Sequence, residues 1–373
     1  ARKDVQYFPS SLSTFTPTTS RVARIPLTSG SDFIDPESVK IAFRFRNLSP
    51  DTAFYPAMCH PACLIKRRQL FANGQRCDDV SEYARSVHLY TLLKPLEWYQ
   101  NMSIEGFEPG INPEVANAFP EDHYQEVLMK PSLIGLLNCG KMLPPQLNLV
   151  LEIEFNEPAD AVRPGGNGTL NYQIENVRVM ASQVTLDSAL VESFNRVLLS
   201  GRSLVFSYPT MHTQVTSVPA GSTSFNATVA RAYTKLMAAF VTFQEDNAAN
   251  GVTSFRHPGA GANGTSFLES QLQIGALQFP HNPMKDYAEH HHFLEIAAGV
   301  YDSSIRNTRL TKGEYEAFSF IAGFPVERVP KMPLSGISTR SGDLARFTFK
   351  GMEPDQVDKI YIHLVSLQVV TLS

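Results

Sequence analysis

Apolar and polar residues alternate through most of this chain, with the period of two that marks half-buried β-strands. Val39, Ile41, Phe43 and Phe45 alternate with Lys40, Arg44 and Arg46; Leu147, Leu149, Leu151, Ile153 and Phe155 alternate with Gln146, Asn148, Glu152 and Glu154. Further strands are expected at Val22–Leu27, Cys63–Ile65, Gln69–Phe71 and 172–186, with Asn73-Gly74 as a tight hairpin turn. Helical spacing is rarer. Asp78-Asp79 is expected to cap a helix over 78–93 carrying Val80, Tyr83, Ala84, Val87, Leu89 and Tyr90. A second helix follows Asp187, through Leu190, Val191, Phe194, Val197 and Leu198, and Gly201 closes it. Strands resume at 213–218, 224–232, 236–243 and 272–274, then a helix that Pro283 opens and Gly299 ends, and closing strands at 344–350 and 357–372. Long irregular stretches fill 94–145, 244–267 and 300–341.

The order of elements before residue 187 is echoed after it. The strand ending in Phe155 runs into Glu157-Pro158, and the strand through Phe347 and Phe349 into Glu353-Pro354. Tyr83-Ala84 with His88-Leu89 is matched by Tyr287-Ala288 with His292-Phe293. A third match pairs Gly30-Ser31-Asp32-Phe33 with Gly221-Ser222-Thr223-Ser224-Phe225. Repeats this long are whole domains rather than solenoid modules. Each half holds about eight strands, one short helix and two long loops, a pattern that favours an all-β jelly roll.

Composition narrows the function classes. Charged residues make up 18% of 373 residues and the net charge is −4, which argues against a body that coats nucleic acid. No apolar run approaches the roughly 18 residues of a membrane span, and no signal peptide is visible. Residues 1–20 are polar and Ser/Thr-rich, read either as a loose terminus or as an arm that docks on a neighbour.

Candidate chemistry is thin. Cys59, Cys63, Cys77 and Cys139 are read as free thiols; Cys59-His60-Cys63 forms one loose pair where structural zinc favours two. His290-His291-His292, with Glu295 one turn from His291, is read as a solvated helix face. Gly259-Ala260-Gly261-Ala262-Asn263-Gly264 has glycine-cradle spacing, but no strand and helix flank it, so it is read as a loop tip. The sequon Asn167-Gly168-Thr169 carries no weight without a secretory route. No nucleophile elbow or phosphate-binding loop exists, so no catalytic, cofactor or metal residues are assigned.

Taken together, the duplicated strand set resembles the double jelly-roll major capsid proteins of tailless lipid-containing phages, polinton-like viruses, adintoviruses and their relatives. The resemblance is carried by Arg24-Ile25-Pro26 to Asp35 with the strand to Phe45, by Leu70 to Gln75 with the helix through Tyr83, by Tyr172 to Val177 leading into the joining helix, and by 272–283 with the closing strand pair. It implies an N-terminal arm (1–20), a first eight-stranded jelly roll (21–187), a linking helix (188–201) and a second jelly roll (202–373). It also implies a homotrimeric, pseudo-hexagonal capsomer in an icosahedral DNA-virus shell, assembled inside the host cell. The implied partners are neighbouring capsomers, penton and minor capsid proteins, with the arm as a candidate contact to an internal membrane or the genome; no cofactor and no small-molecule substrate come with the family. Two other readings of paired jelly rolls stay open: an enzyme of the peptide amidase or copper monooxygenase type, and a tandem carbohydrate-binding protein. Copper would need His-x-His on strands, and that spacing occurs only at His290 and His292, on an expected helix.

Overall fold

The computed structural model of the chain describes all residues except 50–52, 111–115, 134, 166–169, 246–251, 260–266, 301–309, 327–334, 341 and 373. The chain divides into two compact units: residues 1–87, 97–210 and 368–373 form the first, and 88–96 and 211–367 the second.

The first half of the chain contributes β1 (Arg2–Tyr7), β2 (Val22–Leu27), β3 (Phe33–Asn47), β4 (Ile65–Ala72), β5 (Gln75–Val80), β6 (Tyr124–Met129), β7 (Leu149–Phe155) and β8 (Tyr172–Val184). They build two sheets, in the orders β1-β8-β3-β6 and β2-β7-β4-β5, with the two-residue strand Thr14–Phe15 added against β8. The pairings are antiparallel. The second half contributes β9 (Leu204–Ser217), β10 (Ser224–Val229), β11 (Leu236–Gln244), β12 (Glu269–Ile274), β13 (Leu277–Met284), β14 (Ala322–Pro325), β15 (Ala345–Lys350) and β16 (Lys359–Leu372). Their sheets run β9-β16-β11-β14 and β10-β15-β12-β13. Each strand of the second set stands in the sheet position of the strand eight before it. The repeat is therefore one of topology, and each half is an eight-stranded jelly roll.

Alternation explains the layers. Leu149, Leu151, Ile153 and Phe155 of β7 are buried while Val150, Glu152 and Glu154 are half-exposed, so β7 gives one face to the core. In the first roll Phe45 of β3 anchors an aromatic cluster, its ring centroid 5.2 Å from Phe119, 5.3 Å from Phe107, 5.5 Å from Tyr172 and 5.6 Å from Phe54. In the second, Phe243 of β11 meets Phe349 at 5.2 Å and Phe320 at 6.0 Å.

Five helices matter here: α1 (Tyr83–Thr91), α2 (Leu96–Met102), α3 (Ser188–Leu199), α4 (Tyr287–Ala298) and α5 (Lys312–Ala317). Helix α3 begins after Asp187, and Gly201 beyond its end takes φ 75°. The other two expected helix starts are corrected. Asp78 and Asp79 do not cap a helix but lie in β5, opposite Leu70 and Gln69 of β4. Pro283 lies in β13, and α4 starts at Tyr287 after Asp286, whose Oδ1 accepts from the amides of Ala288 and Glu289. The physical cause is the same in both halves. Tight turns with positive φ, Asn73 (48°) and Gly74 (74°) in one and Gly275 (58°) in the other, send the chain back as a hairpin strand before a helix can begin.

Two further expectations change. Residues 2–7 are not a loose terminus: they form the edge strand β1, paired with β8 from Arg2↔Val184 to Tyr7↔Val179. Ion pairs Arg2–Asp35 and Lys3–Asp32, both 2.8 Å, fasten them. The third sequence match is chance, because Gly30 precedes β3 whereas Gly221 precedes β10, the counterpart of β2.

Candidate functional site

The chemistry-bearing residues of the first roll serve its packing. Cys59, His60 and Cys63 gather at the 3-10 turn Pro61–Leu64, where His60 Nδ1 accepts from the Ala62 amide at 3.1 Å and so caps the turn. The imidazole stacks on Trp98, centroids 6.1 Å apart and planes 11° from parallel. Burial, and then the Arg68 cation, push His60 down to about 3, so it is neutral. Cys59, Cys63, Cys77 and Cys139 are all free thiols. Burial pushes Cys63 up to about 12 and Cys77, next to Asp78, up to about 11; Cys139 is raised too. Thiols held this firmly in the protonated form are poor nucleophiles and poor metal ligands.

Asp78 works as a joint. Its Oδ1 accepts from Thr210 Oγ1 at 2.9 Å and its Oδ2 from the Leu136 amide at 3.2 Å, which ties β5 to the start of β9 and to the loop before β7. Arg68 of β4 is fully buried, with its guanidinium 4.1 Å from the centre of the Tyr83 ring and Nη2 3.5 Å from Met129 Sδ. Its Nε and Nη1 have no hydrogen-bond partner among the described residues.

In the second roll the histidine run is a solvated face only in part: His292 is exposed and His291 half-buried, but His290 is buried. α4 packs on β14, which turns His290, Leu294 and Glu295 inward. His290 is fully buried; its Nε2 lies 2.7 Å from Ser270 Oγ and its Nδ1 2.6 Å from the Asp286 carbonyl. His291 sits 4.0 Å from a Glu295 carboxylate oxygen, and His292 beside the Phe293 ring. Periodicity could have given the first of these corrections, since His290, Leu294 and Ala297 share one helical stripe. Of the glycine-rich run, Gly259 donates its amide to His257 Nδ1 at 3.0 Å, while Ala260 to Gly264 lie outside the described residues, as do Asn167 to Thr169. Among the described residues, no three His, Cys, Asp or Glu side chains form a group that could hold a metal ion.

What the molecule offers instead is surface. The outward face of the β8-β3-β6 sheet carries ion pairs, two of them between strands (Arg44–Glu126 and Arg178–Glu126) and three to flanking residues (Lys40–Glu105, Arg46–Asp122 and Lys130–Glu37), between 2.6 and 3.5 Å. Each such exposed pair contributes little stability, but together they make a polar plate that stays soluble. The alternating cations of β3 were visible in the sequence; their partners were not, since register brings Glu126 of β6 to Arg44 while Glu105 and Asp122 reach Lys40 and Arg46 from the segments before β6. The long loops, by contrast, are less exposed than their apolar content suggests. Tyr99, Met102, Phe107 and Phe119 are buried, and so are Tyr315, Phe320, Ile321 and Phe324; Leu96, Ile104 and Phe318 stay exposed. Helix α3 has no buried residue, although Phe194 meets Phe33 at 5.3 Å. A cleft of about 350 Å³ runs along it, lined by Phe33, Pro144, Val191, Phe194 and Leu198, and Leu190 and Leu199 of the helix are exposed.

No protein-family model matches the chain, and no curated protein matches it. Solved structures do. The Faustovirus major capsid protein aligns with a TM-score of 0.64 at 6% identity, over 100% of this chain and 90% of its own. The PBCV-1 virus capsid aligns with a TM-score of 0.62 at 11% identity, over 100% and 94%. The mavirus major capsid protein aligns at 0.52 and 8%, over 99% and 88%. Alignments that run end to end through both rolls match the whole tandem rather than one generic sandwich. The chain has the double jelly-roll fold of the viral major capsid proteins.

Proposed function

We propose that this chain is the major capsid protein of an icosahedral DNA virus and resides in the virion shell. The observation that carries the reading is the tandem itself: two rolls of identical sheet order, aligned over the full chain with major capsid proteins at single-digit to low double-digit identity. A fold kept at such low identity, with its chemistry-bearing residues spent on packing, supports a structural and non-enzymatic role. Three copies form a pseudo-hexagonal capsomer in which six rolls make the six sides, and capsomers meet neighbouring capsomers, penton and minor capsid proteins in the shell. The two rolls, β1 to β8 and β9 to β16 with the 188–201 helix between them, are the units of the original duplication, so the first takes in the expected arm as well as 21–187.

The paired jelly-roll enzyme reading has less support. His290, half of its copper-type spacing, has both ring nitrogens engaged, by Ser270 and by the Asp286 carbonyl. Electron microscopy of the purified protein tests the proposal. Class averages are expected to show three-fold particles with a hexagonal outline; two-lobed single chains would refute it.

A further inference from the structure

His257 lies in the segment 255–259 of the second unit, and that segment is held by main-chain bonds to several elements. The Phe255 amide donates to the Phe318 carbonyl and the Phe320 amide to the Phe255 carbonyl, both at 2.9 Å; the His257 amide donates to the Ala317 carbonyl at 3.1 Å; the Glu353 amide donates to the Pro258 carbonyl at 2.8 Å. The segment therefore joins the end of β11, the stretch between α5 and β14, and the turn after β15. The imidazole fills the space beneath it, 4.2 Å from the Phe320 ring, and His290 reaches the same ring at 5.3 Å from α4.

The bonding of the ring decides its charge. Nδ1 accepts from the Gly259 amide, so it carries no proton, and the proton sits on Nε2, which is buried and has no hydrogen-bond partner among the described residues. A second proton has only Nδ1 to go to, where it would point at an N–H. The charged groups around it reinforce this. Arg256 beside it and His290 across Phe320 both disfavour a cation, while Asp286 and Glu289 act on His290 instead. On the far side of Phe320 stands Tyr315, faced by His291 and Glu295, and Arg256 is itself held by Gln356. No carboxylate among the described residues bonds the His257 ring.

We propose that His257 is an acid-sensitive latch: protonation at Nδ1 breaks its bond to the Gly259 amide and releases residues 255–259 from the elements they join. Burial, then the His290 and Arg256 charges, hold His257 down at about 3, and burial holds His290 at about 4. Both lie below the unperturbed histidine value of about 6.5. The latch is thus intact above about pH 6.5, where the open form is also neutral, and weakens as pH falls toward 3, because the open form takes the proton first. Linkage for His257 alone raises the opening constant about 30-fold at pH 5.

Hydrogen exchange tests this on the full chain. The amides of 255–257 and 259, corrected for intrinsic exchange rates, are expected to open about 30-fold more often at pH 5 than at pH 7.5. His257→Asn keeps an acceptor for the Gly259 amide but cannot take a proton, so its exchange in this segment should be insensitive to pH. Exchange at the histidine C2 position in the wild-type protein should place the native pKa of His257 well below 5. A native His257 pKa near 6.5, pH-independent opening of 255–259 in the wild type, or an unchanged pH response in His257→Asn would each overturn the proposal. If the variant fails to fold, the two wild-type measurements decide.

Discussion

Arg68 is a costly residue to bury in the first roll. A guanidinium cannot shed its proton at neutral pH, and this one meets a tyrosine ring and a thioether rather than a carboxylate. Two of its donor nitrogens are orphaned among the described residues, and burial lowers its pKa. Replacing buried charges by apolar groups of similar shape is commonly neutral or stabilising by about 1–4 kcal/mol. Arg68→Met fills the same volume beside Met129, so its unfolding midpoint in denaturant should rise at unchanged slope. A lower midpoint would mean that the ring contact outweighs the desolvation cost. Nothing in the alternation of β4 marks Arg68 as buried: Lys66, Arg67, Arg68 and Gln69 read as one polar run. Only the β4–β5 and β4–β7 registers, with α1 bringing Tyr83 over the strand, turn it inward. The strand phenylalanines were legible for the opposite reason, since Phe43 and Phe45 stand on the apolar side of a clean period of two.

Elements were legible where a period persisted and misread where a turn intervened. The strands around Ile41, Ile153 and Val241 need only local pattern, and Glu157-Pro158 and Glu353-Pro354 do end equivalent strands, β7 and β15. Positions 75–80 and 277–284 lack that pattern. β5 carries Arg76, Asp78 and Asp79, and β13 carries two prolines, so pairing with the neighbouring strand overrides propensity. The inward stripe of α4 is periodic, but how closely the helix sits on the sheet was invisible to sequence, because that depends on a missing side chain. A Cβ on Gly323 of β14 would stand 2.6 Å from Leu294 Cα and 3.1 Å from its nitrogen. Backbone cannot yield there as a side-chain tip could. Gly323→Ala is therefore expected to push α4 off the sheet and to cost about 1–3 kcal/mol or more, with lost exchange protection centred on 287–298. Wild-type stability and protection in the variant would show that the helix is not held at this distance.

For the whole molecule, duplication is the feature on which the functional reading rests; the echo of elements was legible in the sequence, while the sheet orders come from the structure. The expectation of trimerisation comes with the family resemblance; apolar side chains in the long loops would support it, and the fold narrows that support. Most of those side chains, Phe107, Phe119, Phe320 and Phe324 among them, complete their own rolls. Among the described residues, the loops still expose Leu96, Ile104, Met142, Phe267 and Phe318, α3 exposes its leucines, and further apolar side chains such as Phe8, Leu12 and Leu344 are scattered singly. Obligate interfaces bury about 2,000 Å² or more, a scale that isolated leucines do not reach without broad polar contact around them. The ion-paired plate of the first roll is suited to such contact. Sedimentation equilibrium at micromolar concentration measures the outcome directly. One species of three times 41.4 kDa is predicted, and a folded monomer of 41.4 kDa persisting there would contradict the capsomer account.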